Sequence, residues 1–246
     1  MTVEHEPLSN DYQPRLMLGA KYPANIAPKL AAPILAHVEK IEKHLEAGDY
    51  IECGHPCWSS LPWLAQRFAG RIRVIHLTRH PVPTACSWLT HQAYCPPFLP
   101  HLSEKVLLSP FDAGVQFPEY QERWLSLTPY EKALYYWTEV NAFGLALEKD
   151  LCVPWLRLSY EDLFGGKGLA ALHDFLGLSV STPADIHLRV DQFHRISAGL
   201  YDWRTITNHP HTLRTCRQLG YDPMSVNGLA LQQRYLAGLP VSSSPV

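Results

Sequence analysis

The chain has 246 residues, 46% of them hydrophobic, enough for a buried core in one domain, and a formal charge of -2 with no long run of one sign. That charge pattern excludes the basic patch of a dedicated nucleic-acid binder but leaves room for a small anion site, which needs only a few cations. No apolar run is long enough to span a membrane, and the thirteen histidines show no HExxH or other metal spacing. The six cysteines, Cys53, Cys57, Cys86, Cys95, Cys152 and Cys216, form no CxxC pair. With no signal-like amino terminus, they read as reduced thiols of a cytoplasmic protein, with no metal site.

Met1 to Glu6 reads as a short strand. Ile34 to Leu45 has helical periodicity through Ile34, Leu35, Val38, Ile41 and Leu45, with Gly48 as its carboxyl cap. Tyr50 to Cys53 predicts a strand and Ser59 to Phe68 a helix. Strand Ile72–Thr78 and helix Pro83–Ala93 follow. This alternation predicts a mainly parallel sheet with helices on both faces.

Tyr94 to Thr128 breaks the alternation with Pro96, Pro97, Phe98, Pro100, Pro110, Phe111, Phe117, Pro118 and Trp124. Such a stretch is either a lid or substrate-binding insertion, or a packed irregular excursion. Helix Pro129–Glu148, strand Val153–Leu158 and helix Leu169–Phe175 restore the pattern. Ser179 to Asn208 is irregular and carries Arg189, His194, Arg195 and Arg204; a helix then spans Thr212 to Leu219. With no repeat and no linker, one domain is expected over 1–246, ending in a flexible tail, Val241 to Val246.

The densest signal is Arg71 to Leu89, RIRVIHLTRHPVPTACSWL. It places Arg79 at the carboxyl end of a strand and Ser87 eight residues on, in the next helix. A guanidinium makes forked, charge-assisted bonds to phosphate oxygens. A serine hydroxyl and a helix amino terminus add neutral donors and a favourable dipole. The pair therefore predicts an anion clamp; an ordinary βα unit with a surface arginine fits the same residues.

Arg79-x-Pro81 followed by Ser87-Trp88 resembles the 3′-phosphate motif of sulfotransferases that use 3′-phosphoadenosine 5′-phosphosulfate (PAPS). Tyr160-Glu161-Asp162-Leu163, with Phe175-Leu176-Gly177-Leu178 after it, is similar to the family's Tyr-Glu-Asp-Leu segment and the helix that follows. Trp137 and Asn141 lie on a helix between them, where the family also has a tryptophan. The resemblance runs in order over roughly Tyr50 to Leu178, with weaker traces near Leu219-Gly220-Tyr221.

It implies a three-layer α/β/α fold of the P-loop nucleoside triphosphate hydrolase type, PAPS as co-substrate and adenosine 3′,5′-bisphosphate (PAP) as product. It implies Arg79 and Ser87 at the 3′-phosphate and Tyr160 near the adenine. His55, in Gly54-His55-Pro56, resembles the family's His-Leu-Pro region. Glu6, in His5-Glu6-Pro7, resembles the glutamate base of other branches. Either would take the acceptor's proton, and Glu52 is a further carboxylate that could orient His55. The acceptor would be a hydroxyl or amine of a small molecule or carbohydrate.

The family's 5′-phosphosulfate loop, which reads like Pro-Lys-Ser-Gly-Thr-Thr or Gly-Arg-Ser-Gly-Thr after the first strand, has no counterpart. Gly165-Gly166-Lys167-Gly168 fails the GxxxxGK[ST] spacing and reads as a turn. The expectation is that one βα unit, roughly 30 residues, is missing. The chain is then either a shortened transferase or a non-catalytic relative that binds a 3′-phosphonucleotide or a partner. A kinase lacks its Walker A here, and a metal hydrolase lacks its ligand spacing.

Overall fold

The computed structural model describes residues 1–20, 28–96, 99–179, 196 and 201–235. Arg189, His194, Arg195 and the tail 241–246 lie outside them. The chain divides into two compact units, Met1–Gly70 with Pro96–Leu125, and Arg71–Cys95 with Ser126–Val246.

In the first unit, β1 (Thr2–His5) pairs in parallel with β2 (Tyr50–Cys53), Thr2 opposite Tyr50 and His5 opposite Cys53. Parallel neighbours need a long crossover, which α2 (Pro28–Ala47) supplies. Ile34, Val38 and Ile41 recur at helical spacing on its buried stripe, and Leu35, expected there, is 51% exposed. A 3-10 turn, Pro56–Ser60, leads into α3 (Leu61–Arg67), shorter at both ends than the helix expected over Ser59–Phe68.

The stretch 94–128 is more regular than its composition predicts. It holds α5 (Pro100–Lys105) and a 3-10 segment, Pro118–Ser126, and buries Val106, Leu107, Leu108, Tyr120 and Trp124. Asp112 accepts from the Ser109 amide and hydroxyl and pairs with Arg15 of α1 (Pro14–Ala20). Burial and an ion pair tie this stretch into the unit's interior.

In the second unit, β3 (Val74–Thr78) pairs in parallel with β4 (Trp155–Ser159) in the register Val74–Trp155 to Thr78–Ser159. The fold is α/β with parallel strands. Among the described residues the strands form two separate pairs, not one continuous sheet.

After β3 comes α4 (Pro81–Thr90), which packs on α6 (Pro129–Asp150). Val82, Ala85, Cys86 and Leu89 meet Tyr130, Ala133 and Leu134 in one apolar cluster. A capping box starts α6: the Thr128 hydroxyl accepts from the Glu131 amide, and the Glu131 carboxylate accepts from the Thr128 amide.

A second stripe of α6 seats the strands, at spacings of four, three and four residues. The Trp137 indole N–H donates to the Arg79 carbonyl at 3.0 Å. Asn141 Oδ1 lies 3.3 Å from His76 Nε2. Gly144 lets the helix approach β3, because a Cβ there would stand 2.6 Å from the His76 ring. Glu148 pairs with Arg157 of β4 at 3.0 Å. After β4 come α7 (Tyr160–Phe164), α8 (Lys167–Leu176), α9 (Pro210–Gln218) and α10 (Gly228–Tyr235).

All six cysteines are free thiols. No described helix is long and apolar enough to cross a membrane, and among the described residues no cluster of three His, Cys, Asp or Glu side chains could hold a metal ion.

Candidate functional site: an arginine at a strand end

Arg79 and Tyr160 come together because of strand register. Thr78 stands opposite Ser159, so the residues just beyond, Arg79 and Tyr160, leave the pair at the same edge. The half-buried guanidinium lies 4.8 Å from the centre of the Tyr160 ring. Tyr160 itself begins α7, with its ring centre 4.2 Å from that of Phe164. One guanidinium N–H donates to the Tyr235 hydroxyl at 3.0 Å. No carboxylate among the described residues pairs with Arg79, so most of its five N–H donors are uncommitted.

The backbone around Arg79 is held on every side. Trp137 fixes its carbonyl, and the Glu161 carboxylate accepts the next amide, His80 N–H, at 3.2 Å. The other Glu161 oxygen accepts the Tyr221 hydroxyl at 3.0 Å, and that hydroxyl also lies 3.0 Å from the Thr78 hydroxyl. His80 Nδ1 accepts the Val82 amide, so the ring proton sits on Nε2 and is donated to the Asp222 carbonyl at 3.0 Å. Burial holds the His80 pKa below the usual value, in keeping with this neutral ring, and pushes Tyr221 up. Burial also pushes the Cys86 thiol up to about 12, although Arg79 draws it back.

The α4 amino terminus does not supply the donors expected of it. Pro81 and Pro83 have no N–H. The Val82 amide is spent on His80 Nδ1 and the Thr84 amide on the His80 carbonyl. The nearby anion is the protein's own Glu161. Ser87, half-buried, lies about 9 Å along the helix axis from Pro81, and no hydrogen bond joins it to Arg79 among the described residues.

The other two predicted residues meet in the first unit. His5 stands opposite Cys53, so Glu6 and Gly54 follow side by side. Glu6 takes a left-handed φ of 45°, and its carboxylate accepts the His55 amide at 3.2 Å. Gly54 is required here, since a Cβ would stand 2.6 Å from Glu6 Cγ. Burial pulls the His55 pKa down to about 4 against the opposing pull of Glu6, so the imidazole is neutral near pH 7 and a weak proton acceptor.

Glu52 does not orient His55. Its carboxylate accepts from the Tyr12 hydroxyl at 2.5 Å and lies 2.8 Å from His37 Nε2. These partners tie β2 to α2 and to the 3-10 turn Ser9–Tyr12. Burial and Glu52 together push the Tyr12 pKa far above the usual range.

Sequence reasoning missed Tyr235, Tyr221 and the carboxylate role of Glu161. Glu161 and Tyr221 fall within quoted motifs, but Tyr235 carries no local signal. A cavity of about 510 Å³, lined in part by Trp203, Arg204 and Leu229, lies elsewhere in this unit and contains none of the predicted residues.

The described residues thus form an α/β protein with an arginine, free of carboxylate, at a parallel strand end. No protein-family model matches the chain, and no curated protein matches it. Among solved structures it is similar to a sulfotransferase domain from the curacin biosynthetic pathway, at 16% identity over 89% of this chain and 82% of that one, with a TM-score of 0.45. It is also similar to the sulfotransferase domain of the Synechococcus PCC 7002 olefin synthase, at 16% identity over 90% of this chain and 94% of that one, with a TM-score of 0.45.

Proposed function

We propose that the chain is a cytoplasmic PAPS-dependent sulfotransferase with a P-loop-like fold, and that Arg79 holds the 3′-phosphate. The observation that carries this reading is a half-buried guanidinium with no carboxylate partner among the described residues, stacked on Tyr160 at the carboxyl end of β3. Tyr160 takes the adenine side of the nucleotide and Ser87 remains a neutral donor on α4. Sulfuryl transfer breaks the bond between sulfur and the 5′-phosphate oxygen and forms one to an acceptor hydroxyl or amine. The acceptor proton passes to a base and PAP leaves, so catalysis rests on positioning and on neutralising the leaving charge. Glu6 and His55 are the two candidate bases: the Glu6 carboxylate accepts the His55 amide, and burial holds the His55 imidazole weakly basic. The acceptor class is a small molecule or carbohydrate.

The state of the α4 amino terminus favours a second reading. With its amides spent and Glu161 beside it, that terminus gives no help to a bound anion. A chain relying on Arg79 alone suits a protein that binds a 3′-phosphonucleotide without turnover. Calorimetric titration separates the possibilities: PAP is expected to bind at least tenfold tighter than adenosine 5′-monophosphate, the range of one charge-assisted contact. Equal affinities would remove the 3′-phosphate from recognition. Release of PAP from PAPS in the presence of acceptor alcohols or amines then decides for turnover.

Glu161→Gln tests the internal anion. The amide can still accept from His80 N–H, but the negative charge beside the helix terminus is gone. PAP affinity is expected to rise about two- to fivefold at low salt, the scale of a charge at a helix end, and the gain to shrink as salt screens it. Equal affinity for wild type and variant in titrations at low salt would show that the ligand does not feel this carboxylate.

A further inference from the structure

Tyr235 closes α10 with its ring 5% exposed, packed in the apolar cluster with Val82 and Ala85. Its hydroxyl accepts a hydrogen bond from Arg79 Nη2 at 3.0 Å. A phenol has one proton to donate and two lone pairs to accept with. Accepting from the guanidinium leaves the proton unspent, and among the described residues nothing accepts it. Withdrawal of electron density by the cation also makes that proton a better donor. A polar group carried into an apolar cluster with its donor unused costs free energy until a partner arrives.

We propose that Tyr235 is a binding residue of the Arg79 anion site, the neutral second arm that donates its hydroxyl proton to the same oxyanion the guanidinium holds. The ligand is a phosphate or sulfate group, and the proposal rests on the reading of Arg79 as an anion site. The hydroxyl already touches the guanidinium, so an oxygen seated on the remaining Arg79 donors lies within reach of both. Ser87, the neutral arm expected from sequence, makes no such contact with Arg79.

Tyr235→Phe removes only the hydroxyl and keeps the ring in its place, so circular dichroism and melting temperature should match the wild type. Calorimetric titration with PAP is expected to show about a tenfold or greater loss in Tyr235→Phe, the range for a hydrogen bond to a charged group. In an Arg79→Ala background the same change should cost less than twofold, because the two groups act on one oxyanion. An affinity within twofold of wild type in Tyr235→Phe, alongside a clear loss in Arg79→Ala, overturns the role of Tyr235 and leaves the nucleotide reading standing. Sodium sulfate, compared with sodium chloride at equal ionic strength, separates the other failure. A sulfate-dependent rise in melting temperature that Tyr235→Phe abolishes, with no PAP binding, keeps the two-armed anion site and removes the nucleotide. No rise with sulfate and no PAP binding overturns the proposal together with the reading.

Discussion

Arg79→Ala is expected to weaken PAP binding about thirtyfold, or about 2 kcal/mol, the middle of the range for hydrogen bonds to charged groups. The loss should be specific to the ligand. Arg79 has no ion pair among the described residues, so its removal leaves no carboxylate stranded. The folded chain gives up one hydrogen bond to Tyr235 and the contact with the Tyr160 face. The melting temperature should therefore move little while affinity collapses. Arg79→Lys sharpens the point, since lysine keeps the charge but not the planar fork or the stacking surface. Its affinity should lie closer to that of alanine than to that of arginine. Calorimetry on the three proteins checks this, and an alanine variant that binds PAP as wild type does would sink the assignment of Arg79.

The strands were legible and the helices largely so, while the site was legible only in part. β1 and β2 are short runs bounded by turn residues, and they fall within a residue of their expected limits. Expected strand Val153–Leu158 starts late, at Trp155, because Pro154 has no N–H and accepts with its carbonyl from Val74 instead. Prolines misled the reading elsewhere. They suggested an irregular stretch at 94–128, yet Pro100 opens a helix there, as Pro129 does where a helix was expected. The first helical position needs no N–H, and the fixed proline φ already suits it.

Prolines also undo the helix-terminus half of the predicted clamp. A sequence motif shows where an arginine falls, but not that Pro81 and Pro83 remove donors while His80 consumes the rest. The meeting of Arg79 with Tyr160 was implied by family resemblance, but its physical cause is the register of two strands about 80 residues apart, which no local pattern encodes. Tyr235 lies 156 residues from Arg79 on a helix with no motif, so only the fold could reveal it. Glu52 was misassigned for a related reason: its carboxylate is taken up by Tyr12 and His37, 40 and 15 residues away in sequence.

Trp137→Ala should produce the largest loss of stability, because one side chain performs two tasks. The indole is 3% exposed within α6, and deleting so large a buried ring costs about 3–5 kcal/mol through lost transfer energy and the cavity left behind. It also removes the donor to the Arg79 carbonyl, a part-buried bond worth about 1 kcal/mol. That sum is a large share of the ~5–15 kcal/mol by which domains are stable. Trp137→Phe divides the two contributions, since the smaller ring keeps most of the packing and none of the donation. It should cost roughly 1–2 kcal/mol on the same hydrogen-bond and packing scales. Urea unfolding of the three proteins reads the difference, and any transition belonging to Arg71–Cys95 with Ser126–Val246 should shift rather than the other. A phenylalanine variant as unstable as the alanine variant would show that the hydrogen bond outweighs the packing. A phenylalanine variant as stable as wild type that nevertheless binds PAP more weakly would show that the indole's tie to the Arg79 carbonyl serves the aim of the guanidinium more than the stability of the fold.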